Sequence, residues 1–300
     1  MLGRALSVVG AWGALAVLWL IHFWPLPVLA AMGRGLGRVL HRFGRARRRV
    51  AMRNVERCLP GLSLPQREAL VRQHFEYLGR SLLERAVLWW APRERLMRLI
   101  TVEGDVGLAE RTAGRFMWVV PHFLALETAG LATVLFQKRL ATTLYQPQSH
   151  PVFDRVIYQG RRRFGGVSAH TRHDNALKLL RDIRQGAAFF NLPDMDFGLK
   201  DSAFVDFFGI PASTLLAPAR LARSMHMTVQ PVLALMRADG RGYVVKFLPA
   251  WTDWPDEDDI TATRRLNAWI EQEIRACPAQ YLWVHKRFKT RPEGQAPFYD

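Results

Sequence analysis

One histidine of this sequence stands where general-base chemistry could begin. His122 follows a short apolar run, Phe116–Val120, that predicts a buried strand, and Glu127 comes five residues after His122. If His122 occupies the turn after the strand and Glu127 the first turns of a helix, the carboxylate can reach one ring nitrogen. The other ring nitrogen would then be free to take a proton from an alcohol. We therefore predict a His–Glu pair at a strand end.

Two other segments carry polar residues that could bind a substrate. Arg161, Arg162 and Arg163 are consecutive and flanked by glycines, which let backbone approach a ligand while the guanidiniums grip phosphate. A solvated helix end would show the same arginine run, and Arg162 could be a solvated neighbour. Asp194 follows a second apolar run, Ala187–Asn191, and could lie on the rim of a site.

An apolar stretch, FVDFFG at 204–209, could line a slot for an acyl chain, although a core hairpin would have the same pattern. Phe207, Phe208 and Leu215 are candidates for the floor of such a slot. We expect no metal, because His170 and His173 lack acidic or cysteine partners at ligand spacing. There is no G-x-S-x-G elbow and no Walker loop, so we predict neither a serine hydrolase nor a bound cofactor.

The charge of the chain indicates a polyanionic partner. Lys and Arg number 42 against 26 Asp and Glu, a net charge of +16, while 49% of the residues are hydrophobic. This composition is that of a globular protein. The excess of cations suits nucleic acid, anionic lipid, a phosphorylated substrate or an acidic carrier protein, and charge alone does not choose among them.

The N-terminus predicts a membrane anchor. Ala5–Trp24 holds no charged residue and would be about 30 Å long as a helix, the thickness of a bilayer core. The basic run that follows places the rest of the chain in the cytoplasm. Val28–Val50 resembles an interfacial helix whose arginines meet lipid headgroups. A signal peptide cleaved near Ala30 is the alternative, but its apolar core would be unusually long.

The remainder alternates apolar runs with amphipathic stretches, which predicts an α/β fold. We place the domain boundary so that residues 1–40 are the anchor and interfacial segment and residues 41–300 the main domain. The predicted strands are Phe116–Val120, Ala187–Asn191, Met227–Met236 and Tyr243–Leu248. The predicted helices lie within Ser63–Ile100 and at Thr128–Phe136, Pro151–Phe164, Asn175–Arg184 and Thr261–Ala276.

Several blocks, in order, resemble the secondary (late) lipid A acyltransferases of the lysophospholipid-acyltransferase-like superfamily. HFLALE (122–127) is similar to their H-x4-[DE] motif, and YQPQSHPVFDRVIYQGRRRFGG (145–166) to a block with a G-R-x-R core. NLPDMDFG (191–198) resembles their D-x-D-x-G turn. The ending YLWVHKRFKTRPEG (281–294) is the most distinctive match.

The resemblance implies a mixed central sheet surrounded by helices, as in glycerol-phosphate-acyltransferase-like folds, with an acyl-chain pocket. It implies that a fatty acyl chain passes from acyl carrier protein to a hydroxyl of a primary 3-hydroxyacyl chain on a lipid A precursor. His122 would be the general base and Glu127 its partner, with no acyl-enzyme. Arg161, Arg163 and Asp194 would bind substrate. The protein would lie at the bacterial inner membrane, single-pass or monotopic, with its catalytic domain facing the cytoplasm.

Two alternatives remain open from the residues. The same pair could acylate another membrane glycolipid or phospholipid. The alternative outside enzymes is a membrane-anchored protein that performs no chemistry and binds anionic lipid or nucleic acid through its arginines. Such a binder needs no histidine and carboxylate at a strand end. We therefore expect no nucleic-acid partner.

Overall fold

The computed structural model describes residues 2–171, 176–255 and 258–299, with side chains described from residue 8 onward except at residue 176. The helices in these ranges are α1 (Leu2–Ile21), α2 (Leu26–Phe43), α3 (Arg45–Cys58), α4 (Leu64–Trp90), α5 (Arg93–Leu99), α6 (Leu108–Arg111), α7 (Leu126–Leu135), α8 (Pro151–Arg162), α9 (Ala176–Arg184), α10 (Ala217–Ser224) and α11 (Asp259–Ala276). The strands are β1 (Ile100–Gly104), β2 (Phe116–Val119), β3 (Ala141–Tyr145), β4 (Val167–Thr171), β5 (Ala188–Asn191), β6 (Ser202–Phe207), β7 (Ile210–Leu215), β8 (Thr228–Met236) and β9 (Tyr243–Phe247).

A mixed seven-stranded sheet forms the centre, in the order β1-β9-β8-β2-β5-β3-β4. Neighbouring strands are parallel except β8 and β9, which are antiparallel. Strands β6 and β7 form a separate antiparallel hairpin. Helices cover the sheet, so side chains of its central strands are buried on both faces, as the burial of all four residues of β2 shows. The predicted α/β class and the mixed central sheet surrounded by helices are confirmed.

The four predicted strands correspond to β2, β5, β8 and β9, whereas β1, β3 and β4 had no clear apolar run, and the pattern of FVDFFG, which overlaps β6, is open between a slot and a core hairpin. Edge strand β4 reads Val-Ser-Ala-His-Thr and has no fully buried residue, so hydrophobicity alone does not mark it. The helix predicted over Val28–Val50 is two helices. Gly44 separates them with a non-helical backbone (φ −79°, ψ 54°).

Helix α1 does not have the predicted character of a bilayer-spanning anchor. In the described ranges, no helix has both the length and the apolarity needed to cross a membrane, so the single-pass prediction is not confirmed. One side of α1 packs on the protein instead, where Ala11 and Leu15 are buried with Val152 of α8. Its other side leaves large apolar residues exposed, among them Trp12 and Leu20.

Helix α2 is held against α4 by glycines that allow backbone contact. A Cβ on Gly33 would lie 2.6 Å from the Arg80 Cα, and one on Gly37 would lie 2.1 Å from the Phe75 carbonyl oxygen. Gly79 of α4 approaches α2 equally closely. Any side chain at these positions would force the helices apart. The predicted domain boundary after residue 40 falls inside α2, and the division into two domains remains a prediction.

Candidate active site

Two neighbouring strands bring a histidine and an aspartate together at one edge of the sheet. Strands β2 and β5 pair in parallel, so their carboxyl ends lie side by side. His122 comes shortly after β2 and Asp194 shortly after β5. The ring Nδ1 of His122 lies 2.6 Å from Asp194 Oδ1, and the backbone N–H of His122 donates to Asp194 Oδ2 at 2.9 Å. One carboxylate thus holds both the ring and the backbone of His122.

This contact defines the proton positions on the imidazole. Asp194 is only 1% exposed. Burial by itself raises the pKa of this carboxyl, but the charge and hydrogen bonds of His122, with the Arg287 guanidinium, bring its pKa below the ordinary value. An ionised carboxylate only accepts hydrogen bonds, so Nδ1 of His122 must carry the proton. Nε2 of the neutral ring therefore has its lone pair available as a base.

The C-terminal segment fixes the backbone of the histidine turn from the other side. The N–H of Leu282 donates to the His122 carbonyl at 3.1 Å, and the N–H of Leu124 donates to the Gln280 carbonyl at 2.8 Å. The Gln280 side chain in turn bonds both backbone groups of Met236, at the end of β8. The YLWVHKRFKTRPEG ending therefore helps to position His122. The titratable residues of the sequence do not indicate this role, because backbone groups perform it.

Glu127 lies at the same cleft but has a different partner from the one predicted. Its carboxylate forms a bidentate ion pair with Arg161 of α8: Nε donates to Oε2 at 3.1 Å and Nη2 donates to Oε1. Burial raises the pKa of Glu127, but Arg161, with a contribution from Arg85, lowers it below the ordinary value. The predicted contact of Glu127 with the imidazole is thus wrong, since Asp194 occupies Nδ1.

The two pairs border a cleft of about 340 Å³ whose lining includes His122, Glu127, Arg161 and Asn191. A smaller cavity of about 80 Å³ adjoins it and shares the wall formed by Glu127 and Arg161. Its other lining residues are almost all apolar or small: Leu88, Trp89, Gly130, Leu131, Val167 and Leu192. A cleft with a few polar side chains, His122 and Arg161 among them, that continues into an apolar cavity suits a molecule with a reactive polar group and a hydrocarbon chain.

Arg85 of α4 is a cleft residue that the sequence analysis missed. It lines the cleft, and its guanidinium carbon lies 6.0 Å from the centre of the Trp89 ring. The pKa of Arg85 is lowered, mainly by burial and further by the charge of Arg161, while the charge of Glu127 opposes the shift. Within the described ranges Arg85 makes no hydrogen bond or ion pair, whereas Arg161 donates to both Glu127 oxygens. The cleft wall thus has two guanidiniums for one carboxylate, which favours an anionic ligand.

The predicted substrate-binding residues have different positions. Arg161 lines the cleft. Arg163 does not: its guanidinium donates to the carbonyls of Leu88 at 3.2 Å and Ala91 at 2.7 Å, so it caps the end of α4. Asp194 is buried beneath His122, where it has no surface to offer a substrate. Neither residue lines the cleft, and substrate binding by Arg163 and Asp194 stays a prediction.

The expected acyl-slot floor is also placed differently. Phe207 is 1% exposed and packs against Tyr281 and Phe288 in the core, so FVDFFG is part of a core hairpin. Of the three floor candidates, Leu215 lines the cleft and neither Phe207 nor Phe208 does.

In the part of the chain that the structure describes, no group of three or more His, Cys, Asp or Glu residues could hold a metal ion. His170 pairs through Nε2 with Asp182 at 2.7 Å, and His173 lies outside the described residues.

Comparisons with known proteins bear on this site. Residues 2–290 match the model of the bacterial lipid A biosynthesis acyltransferases. The chain is 33% identical to the lipid A biosynthesis palmitoleoyltransferase of Escherichia coli, over 96% of this chain and 94% of that protein. It is 33% identical to the lauroyltransferase of the same bacterium over 94% and 92% of the two chains, and 31% identical to its myristoyltransferase over 97% and 90%. The chain belongs to the bacterial lipid A biosynthesis acyltransferase family.

Proposed function

We propose that the protein transfers a fatty acyl chain from acyl carrier protein to a hydroxyl of a primary 3-hydroxyacyl chain on a lipid A precursor. The observation that carries this proposal is the hydrogen bond from His122 Nδ1 to the buried Asp194. It leaves Nε2 as the basic nitrogen of a histidine that lines the cleft. General bases of this kind act on alcohols at neutral pH.

The transfer needs one proton acceptor and no enzyme nucleophile. Nε2 of His122 takes the proton of the acceptor hydroxyl as its oxygen attacks the thioester carbonyl carbon. A carbon–oxygen bond forms, the carbon–sulfur bond breaks, and the imidazolium returns the proton to the leaving thiolate. Asp194 stabilises the imidazolium between these steps, because its negative charge lies against Nδ1.

The apolar cavity beside Glu127 and Arg161 would take the end of the donor acyl chain. Its walls come from α4, α7, α8 and the neighbouring strands, and they include Leu88, Leu131 and Val167. Gly130 also lines it, and a Cβ added there would meet no atom within 4 Å. Burying hydrocarbon in such a cavity is favourable at about 25 cal/mol for each Å² of apolar surface.

The two cleft arginines have separate tasks in this proposal. Glu127 fixes the guanidinium of Arg161 through two hydrogen bonds, so Arg161 is a rigid part of the wall. Arg85 is free to bind an anionic group of the acceptor or to stabilise the oxyanion of the tetrahedral intermediate. Glu127 is then a positioning residue that acts through Arg161.

The exposed apolar side of α1 and the turn after it would attach the enzyme to the bacterial inner membrane. Trp12 is 52% exposed, Leu20 59% and Phe23 63%. Aromatic and aliphatic side chains of this kind bind the interface between headgroups and acyl chains. A monotopic attachment at the cytoplasmic face would keep the cleft beside a lipid acceptor that does not leave the bilayer.

Transfer of radiolabelled acyl groups tests the proposal. The purified protein is incubated with acyl-acyl carrier protein and a tetra-acylated, Kdo-bearing lipid A precursor, and products are separated by chromatography. We expect a labelled penta-acyl product from the wild type and about 10²–10⁴-fold less from His122→Ala.

The control is His226→Asn, which changes an exposed histidine whose positive φ of 48° an asparagine tolerates. Thermal unfolding of each variant separates loss of chemistry from loss of fold. Equal product from wild type and a folded His122→Ala would remove His122 from the mechanism. Labelled product on another lipid, with none on the lipid A precursor, would overturn the acceptor.

A further inference from the structure

A second basic site lies on the surface, outside the catalytic cleft. It is a groove of about 840 Å³ between α3 and the C-terminal segment. We call it the α3 groove, and its lining residues are Ala46, Arg47, Arg49, Val50, Met52, Arg53, Glu56, Lys286 and Tyr299. Four of these residues are cationic and one is acidic. The groove thus has a small apolar floor and a strongly positive rim.

Within the described ranges, three of the rim cations have no acidic partner: Arg47, Arg49 and Lys286. Arg53 is neutralised in part by Glu56 at 3.2 Å, and Arg47 donates to the Val284 carbonyl at 3.2 Å. Within the described ranges, Arg49 and Lys286 form no ion pair; the Lys286 ammonium only lies 5.6 Å from the centre of the Tyr299 ring. Exposed cations held side by side around a concave surface attract an acidic ligand.

The α3 groove is linked to the catalytic histidine by a short stretch of chain. Leu282 donates to the His122 carbonyl and lines the catalytic cleft, and Lys286 lines the α3 groove. Four residues of extended chain span at most about 14 Å, so the Lys286 backbone at the rim of the groove lies within that distance of the Leu282 backbone. A protein docked there could place a substrate carried on a flexible prosthetic arm at His122.

We infer that the α3 groove docks an acidic helix of the protein that carries the acyl donor, an inference that rests on the proposed function. The concave shape favours a helix over a membrane, because a bilayer is flat and meets protruding residues. The exposed apolar residues suited to a bilayer, such as Trp12, Phe23 and Met32, lie on α1, the turn after it and α2, and none of these three lines the α3 groove. The apolar floor formed by Val50, Met52 and Tyr299 would receive the apolar side chains beside the acidic residues of that helix.

Charge reversal at Arg49 and Lys286, two of the three rim cations without an acidic partner, tests the inference. The variant is the full-length Arg49→Glu/Lys286→Glu protein, and the control is Arg184→Glu, an exposed arginine at the end of α9. Binding of fluorescently labelled acyl carrier protein is measured by anisotropy at low and high salt. We expect the double reversal to raise Kd about tenfold or more and to flatten its salt dependence, while the control stays at the wild-type Kd.

Acyl transfer from a thioester of pantetheine, which lacks the carrier protein, is measured in parallel. We expect the double reversal to raise KM for the acyl carrier substrate and to leave kcat/KM for the small thioester within about twofold of wild type. An unchanged Kd for the carrier protein overturns the inference. Loss of binding to phosphatidylglycerol vesicles with an unchanged carrier Kd also overturns it, because the groove would then bind lipid headgroups.

The two proposals fail in different ways. If the protein transfers no acyl group from any donor, the proposed function fails, yet the anisotropy still reports whether the α3 groove binds the carrier. If transfer occurs and the double reversal affects both thioesters equally, the chemistry stands and the docking site is wrong.

Discussion

The cleft has two acid–base pairs that differ in what they leave free. His122 and Asp194 join through one ring nitrogen at 2.6 Å, and the second nitrogen keeps its lone pair. Glu127 and Arg161 join through both carboxylate oxygens and two guanidinium nitrogens, and the guanidinium has no lone pair with which to accept a proton. The first pair can accept a proton during a reaction. The second is an internal salt bridge that shapes the cleft wall.

The difference comes from the partners that each acid meets. Asp194 is buried against an imidazole whose second ring nitrogen can take up and release a proton, so its negative charge stabilises the protonated ring. Glu127 meets a guanidinium, which stays protonated at any physiological pH. Two carboxylates with lowered pKa values in one cleft therefore have unequal chemical consequences.

The largest expected effect is that of Asp194→Asn. The asparagine amide can no longer stabilise an imidazolium or enforce the Nδ1-protonated tautomer, so kcat should fall about 10²–10⁴-fold with a small change in KM. Steady-state kinetics of acyl transfer check it. Asp196→Asn is the matched control, since Asp196 is equally buried but bonds Thr290 instead of His122. A larger loss of kcat from Asp196→Asn would show that the loop, and not the pair, matters.

A substitution on the Glu127–Arg161 side should change substrate choice and spare the chemistry. Gly130→Leu places a side chain in the apolar cavity, and the preference for long over short acyl donors should drop about 10–100-fold. Competition between donors of different length measures this ratio. Gly114→Leu is the control, because Gly114 also has open space at its Cβ but lies outside the cavity. An unchanged ratio would place the acyl chain elsewhere.

Removing one member of the salt bridge should cost more stability than removing both. Glu127→Gln leaves Arg161 unpaired in a partly buried site, and the double variant Glu127→Gln/Arg161→Gln removes that charge as well. We expect a coupling energy of about 1–2 kcal/mol, between the values for exposed and buried pairs. Urea unfolding of the four proteins in the cycle measures it. Additive effects would mean that the bridge contributes nothing of its own.

The smallest expected effect is in how the free energy of unfolding of these same four proteins depends on pH. The folded pKa of Glu127 is lower than its unfolded value, so its contribution to stability is present above the unfolded pKa and is lost as pH falls through the folded one. The stability difference between wild type and the double variant should be constant near neutral pH and shrink only below about pH 4.5, the ordinary glutamate value. A stability difference that grows as the pH falls would contradict the lowered pKa of Glu127 in the folded protein.

The sequence singled out His122 but not the carboxylate that contacts it. His122 was recognisable because an apolar strand ends just before it. Asp194 is distant in sequence and meets His122 only because β5 pairs beside β2, and no local spacing encodes that pairing. Glu127 was the nearest acid along the chain, but in the first turn of α7 it is beside α8 and binds Arg161.

The arginines also show that local sequence spacing does not tell which side chains meet in the fold. Arg161 and Arg163 are two positions apart around a helix end, so their side chains diverge by about 200°. One lines the cleft and the other caps α4. Arg85 was missed because nothing in its local sequence distinguishes it from a solvated helix residue. Periodicity gave the α/β class and four strands, but polar edge strand β4 needed its neighbour β3 to be recognised.

The most direct test of the account is the hydrogen-bonding state of the His122 ring. Proton NMR of isotope-labelled histidine in the purified protein would show a strongly downfield N–H resonance, assigned to His122 by its absence in His122→Gln. We predict that the resonance belongs to Nδ1, persists in Glu127→Gln and disappears in Asp194→Ala. A resonance that survives Asp194→Ala and disappears in Glu127→Gln would contradict the account, because Glu127 would then be the acid that orients the base.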